Sequence, residues 1–146
     1  MKKLDLNEAA EEFDMISSDV RLFYNTETGE FYCLYEDIDP KCDDRKKLER
    51  GHWIAAPEEY EINEYKMMVG FAGGVKDQRA SELLYVALNG KGAFRRFRDA
   101  LHLTGLTDEW YAFKHNAYVN AVREWCDDNK IPYEDTTSVS APDNSK

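Results

Sequence analysis

Val20-Arg21-Leu22-Phe23-Tyr24 and Glu30-Phe31-Tyr32-Cys33-Leu34-Tyr35 stand on either side of Asn25-Thr26-Glu27-Thr28-Gly29. Both flanking runs are rich in β-branched and aromatic side chains, which suit a pleated, half-buried surface. Gly29 supplies the positive φ that a hairpin loop of this length needs. The spacing predicts a β-hairpin. Working outward, His52-Trp53-Ile54-Ala55-Ala56 predicts a third short strand, stopped by Pro57. From about Glu58 the apolar period changes from two to near 3.6, and it stays there. That change decides the fold class. It is α+β: an N-terminal helix, a small antiparallel sheet (hairpin plus third strand), then a four-helix C-terminal half.

The leading helix is predicted over residues 4–15, where Leu6, Ala9, Ala10 and Phe13 form one stripe and Glu8, Glu11 and Glu12 face water. Asn7 reads as its N-cap. Beyond the sheet, Ile62, Tyr65, Val69 and Ala72 share a face up to Gly73-Gly74. A further helix is predicted over residues 77–89, burying Ala80, Leu83, Leu84, Ala87 and Leu88, with Gly90 at its C′ position. The next spans residues 93–103 on a Phe94, Phe97, Leu101 stripe. The longest is capped by Thr107 and stapled by Leu106 and Tyr111, and it repeats Trp110, Phe113, Ala117, Ala121 and Trp125 until Asn129-Lys130. Residues 36–50 read as a charged surface loop. Residues 1–133 read as one domain and 134–146 as a disordered tail, since the last stretch is rich in Ser, Thr, Asp and Pro.

The chain has 146 residues, 42% of them hydrophobic, 13% aromatic and 33% charged, with a formal charge of -10. That is enough apolar material for one core of ordinary size. It excludes a membrane span, a collagen-like repeat and a globally basic nucleic-acid binder. The start of the chain reaches carboxylates before any apolar run, so no secretory signal is expected, and three cysteines without a C-x-x-C pair indicate neither a disulfide framework nor a zinc knuckle. The expectation is a reduced, cytoplasmic protein.

The charge is unevenly divided. Residues 1–64 hold 18 acidic and 8 basic side chains, residues 65–100 hold 3 and 7, and residues 101–146 hold 8 and 4. The basic island is centred on Gly90, Lys91, Gly92, Arg95, Arg96 and Arg98. Two glycines ahead of a helix start can aim backbone N–H groups at an anion, and the cations can close on it, so these six are a candidate anion-binding set for phosphate ligands or, weakly, nucleic acid. The other reading makes Gly90 a helix cap, Gly92 a helix opener and the arginines neutralisers of nearby acids. The loop is no Walker A motif, because no Ser or Thr follows the lysine.

Gly92-Ala93-Phe94-Arg95-Arg96-Phe97-Arg98-Asp99, then Glu109-Trp110-Tyr111-Ala112-Phe113, then Arg123-Glu124-Trp125-Cys126 carry a resemblance. The set is similar to a family of small acidic bacterial proteins without an assigned activity, which have a GKGAFRRFKD-like box, a WxxF box and a closing EW segment. The resemblance covers most of residues 4–133. It implies a shared architecture and no activity. The chain departs from it at Gly70-Phe71-Ala72-Gly73-Gly74, where the resemblance implies more acidic residues.

The histidines His52, His102 and His115 have no metal-ligand spacing, and the adjacent carboxylate pairs point apart on any regular element. There is no G-x-S-x-G elbow and no nucleophile with a base nearby in sequence. No cofactor, metal or catalytic residue is therefore assigned. Nine tyrosines exceed what one small core absorbs, and Tyr24, Glu30, Tyr32, Tyr35, Glu36 and Asp37 form a candidate partner-binding face. The ordinary alternative is edge decoration of a small sheet. The expectation is a non-catalytic acidic protein that docks on a basic protein partner, as a nucleic-acid mimic or inhibitor of a nucleic-acid-handling enzyme.

Overall fold

Asp5 opens the first helix. The computed structural model describes residues 3–35 and 52–134. In it Leu4–Asp5 form a short strand, β1, and Leu6–Phe13 form α1. The Asp5 carboxylate accepts the Asn7 and Glu8 amides at 2.8 and 3.1 Å. The cap thus lies two residues ahead of the Asn7 expected from sequence. The reason is tertiary: β1 pairs in parallel with Tyr133–Glu134 (β5), which holds Asp5 extended as a cap must be. The predicted apolar stripe is the one buried, with Leu6, Ala9, Ala10 and Phe13 all inside.

The sheet is antiparallel. Val20–Asn25 (β2) pairs with Phe31–Tyr35 (β3) on one edge and with Trp53–Ala55 (β4) on the other, giving the order β3-β2-β4. Gly29 sits at φ 79°, and the Asn25 side chain accepts the Glu27 and Thr28 amides, so the loop closes as its residues dictate. The predicted loop at residues 36–50, with Glu36, Asp37 and Cys42, lies outside the described residues, as does the predicted tail at 134–146 except its first residue, Glu134, which is not tail but strand, because it pairs with Asp5.

The helical elements are Glu59–Ile62 (α2), Glu64–Gly74 (α3), Gln78–Ala87 (α4), Ala93–Thr104 (α5) and Thr107–Asn129 (α6). The single helix expected from Glu58 is broken at Asn63, whose φ of 55° and ψ of 73° are left-handed and whose side chain caps α3 through the Lys66 amide. The break turns the stripe. Met68, Phe71 and Ala72 are buried, while Tyr65 is exposed and only Ala72 of the expected face is fully inside. Asp77 caps α4 through the Ala80 amide at 3.0 Å. At the start of α6 the Leu106 carbonyl accepts the Trp110 amide at 2.9 Å, so Leu106 holds the cap position assigned to Thr107. At the other end Lys130, at φ 58°, lets the Ile131 amide return to the Cys126 carbonyl at 2.8 Å.

The chain divides into two compact units, residues 1–62 with 118–146, and residues 63–117. In the first, Trp125 is the centre of an aromatic cluster with Phe13, Tyr24 and Phe31 at ring separations of 5.5, 5.9 and 6.5 Å. In the second, Phe71, Phe97 and Trp110 meet edge to face over a core that includes Met68, Ala72, Leu84, Ala87, Leu88 and Leu101. Two residues expected in that core are outside it: Leu83 is 46% exposed and Phe94 55%. Leu83 directly precedes the buried Leu84 and so points about 100° away from it, while Phe94 lies one turn before the buried Phe97, at the exposed start of its helix.

Candidate functional site

Strand alternation divides the face proposed around the hairpin. Successive residues point to opposite sides of a sheet, and the register sets Tyr24 against Phe31 and Phe23 against Tyr32. Tyr24 and Tyr35 therefore share one side, and Tyr32 lies on the other with Phe23 and Trp53. Tyr24 does not belong to an exposed face at all. It is 2% exposed and packs edge-on to Trp125, and burial raises its phenol pKa from the ordinary value. Tyr35 and Glu30 are exposed, and Tyr32 is half-buried with its ring 6.3 Å from that of Trp53. Glu36 and Asp37 lie outside the described residues.

The buried side of the hairpin leads to a cleft that the sequence did not reveal. Its volume is about 420 Å³, and it lies among α1, the hairpin and the β1–β5 pair. Asp5, Glu8 and Glu12 line it from the N-terminal segment and Glu134 from β5, while Leu4, Ala9 and Phe31 give it apolar walls and Lys3 adds a cation. Glu8 and Glu12 are one helical turn apart and so fall on the same flank of α1. The Asp5 carboxylate is occupied by its cap bonds, which leaves Glu8, Glu12 and Glu134 as the other carboxylates lining the cleft, with Lys3 as its cation. In sequence the helix carboxylates looked like an ordinary wet face. No local pattern announces that Glu134 joins them, because the approach is made by strands about 130 residues apart.

The basic island is arranged by its glycines. Gly90 and Gly92 both take φ 77°, and α5 starts at Gly92 without a side-chain cap. The chain turns tightly enough for Arg96 to fold back over the loop. Its Nε donates to the Ala87 carbonyl at 3.2 Å, and its two terminal nitrogens donate to the carbonyls of Lys91 and Asn89. Arg96 thus caps the C-terminal end of α4 and presents its guanidinium to carbonyl oxygens rather than to an external anion. Lys91, Arg95 and Arg98 remain exposed, and Arg98 is turned toward a second cleft beside Trp110.

The two units differ in charge as widely as the first two sequence segments do. Residues 1–62 and 118–146 together carry 23 acidic and 11 basic side chains, a net -12. Residues 63–117 carry 6 and 8, a net +2. His52 is exposed and 3.5 Å from the Glu27 carboxylate, His102 is exposed in the last turn of α5, and His115 is half-buried on α6. Among the described residues, no three His, Cys, Asp or Glu side chains are grouped to hold a metal ion, and no helix is long and apolar enough to cross a membrane. Cys126 is fully buried, and burial, with the Asp127 carboxylate adding to it, pushes its thiol up to about 12. A thiol so held is a packing group. No protein-family model matches the chain, and no curated protein and no solved structure matches it either.

Proposed function

We propose that this is a non-catalytic interaction protein whose acidic unit docks on a basic protein partner. The observation that carries the reading is the net -12 on residues 1–62 and 118–146, together with the carboxylate-lined cleft within that unit. Glu8, Glu12 and Glu134 supply the charge and Phe31 an apolar wall, so a lysine or arginine side chain entering the cleft finds both a counter-charge and a surface for its methylene stem. The fitting partner is a protein surface that ordinarily holds nucleic-acid phosphates, with the carboxylates standing in for them. The reading moves the docking face from the hairpin tyrosines to the cleft beside α1.

Affinity capture from lysate, repeated at about 0.1 M and about 1 M salt, tests it, because the screening length falls from about 10 to about 3 Å over that range. A basic partner held at low salt, released at high salt and lost by Glu8→Lys/Glu12→Lys supports the reading. A partner retained equally in both salts, or retained by the charge-reversed variant, overturns it. Adding duplex DNA to the captured complex examines the mimicry: competition is expected.

A further inference from the structure

Phe94 breaks the pattern of its helix. It was expected in the core of the second unit, yet more than half of its surface is exposed. Its neighbours explain where it goes. A cleft of about 210 Å³ lies within residues 63–117, between the α5 and α6 helices and the start of α3. Phe97 and Trp110, both buried, form its floor, while Phe94 and Tyr111, 55% and 56% exposed, stand at its rim. Arg98 lines one side, and Lys114, ion-paired to Glu64 at 3.3 Å, lines another.

Three features of this cleft select a ligand. The first is size. At about 30 Å³ per water molecule it holds about seven waters, below the roughly 300–1,000 Å³ of sites for drug-sized ligands, so the occupant is small. The second is shape and polarity. Four aromatic rings favour a flat, apolar body that can meet them face or edge on, and they give the exposed Phe94 and Tyr111 something to cover. The third is charge. Lys114 is matched by Glu64, whereas Arg98 makes no hydrogen bond or ion pair with any described residue, so the lining has one cation in excess. An arginine fork suits a carboxylate, which it can hold through two parallel hydrogen bonds.

We infer that the Phe94–Trp110–Tyr111 cleft binds a small aromatic monocarboxylate, with its ring over Trp110 and its carboxylate on Arg98. The site is separate from the acidic cleft of the other unit and does not depend on the function proposed for it. It also gives the basic island a different role from the one its glycines suggested. The anion is received by Arg98 beside the aromatic floor, while Arg96 is committed to the loop carbonyls.

Titration of the full chain with indole-3-acetate and with its neutral amide, followed by NMR through the Trp110 indole N–H, tests the assignment. Saturable binding of the acid is expected, with the amide weaker by about tenfold or more, the size of a charge-assisted hydrogen bond. Arg98→Gln is expected to bring acid and amide to near parity, and Phe94→Ala to weaken both. Each substitution is at an exposed helix position, and circular dichroism of the variants checks that the fold is kept. Absence of saturable binding, equal binding of acid and amide by the unaltered chain, or undiminished acid binding by Arg98→Gln overturns the inference.

Discussion

The Trp125 indole Nε1–H donates to the Ala55 carbonyl at 2.9 Å, joining the C-terminal half of α6 to an edge strand seventy residues earlier. The same ring is edge-on to Phe13 and Tyr24. One side chain therefore gathers α1, the hairpin, β4 and α6 into the core of the first unit. The carbonyl it satisfies is on β4, whose other neighbour is β2, so the bond also covers an otherwise unpaired sheet edge.

Trp125→Phe keeps most of the packing and removes the donor. It should cost about 1–3 kcal/mol, the range for leaving a sheltered acceptor unpaired. Trp125→Ala also opens a cavity and should cost about 3–5 kcal/mol. Urea unfolding followed by circular dichroism measures both. A loss in Trp125→Phe near zero would mean that water replaces the indole.

Cys126 makes stability fall at alkaline pH. Burial raises its thiol from 9.0 in the ordinary case to about 12 in the fold, whereas the unfolded chain ionises at the ordinary value. Unfolding then releases a proton above pH 9, so the contribution is whole below about pH 9 and is lost as pH rises toward about 12. Tyr24, also raised by burial, acts in the same direction. The urea midpoint should drop across this window, and drop less in Cys126→Ala. Ellman's reagent should leave Cys126 unmodified until denaturant is added.

Asn63 combines a left-handed backbone with a side-chain cap on α3. Asn63→Gly keeps the backbone freedom and, since glycine is tolerated at caps, should cost only a few tenths of a kcal/mol. Asn63→Ala loses the cap and strains the backbone, and should cost about 2–3 kcal/mol. Thermal unfolding of the pair separates the two. Equal losses would show that the cap, and not the backbone angle, sets the break between α2 and α3.

Arg96 should behave as a structural residue. Its three carbonyl contacts bind the end of α4 to the loop before α5. Arg96→Lys keeps the charge but lacks the fork that reaches three acceptors, and should cost about 1–2 kcal/mol. Arg95→Lys, at an exposed position outside the network, should cost less than about 0.5 kcal/mol. Gly92→Ala should also destabilise, since its φ is 77° and an added Cβ would lie 3.2 Å from an Arg96 nitrogen. A stable Arg96→Lys protein would return Arg96 to the set of free cations.

Much of the fold was legible locally. The Gly29 turn and its flanking aromatics specified the hairpin, and the Leu6-Ala9-Ala10-Phe13 stripe specified the buried side of α1. The coarse α+β composition follows from the change of period near Glu58. The misplaced residues share a cause. Tyr24, Leu83 and Phe94 are aromatic or aliphatic residues whose type suits either a core or a surface, and only the rotation of each element against its neighbours decides between them.

The sequence by itself determined the hairpin, most of the helical segments and where charge accumulated, because those depend on side chains within a few residues of one another, whereas the β1–β5 pair and the break at Asn63 did not follow from it. The tertiary structure alone decided what those segments could do. Glu134 reaches the Glu8 and Glu12 side of α1 through strand pairing across nearly the whole chain, Arg96 turns inward to carbonyls, and Arg98 comes to flank Trp110. Such approaches arise from packing between elements distant in the chain, and sequence periodicity contains no term for them.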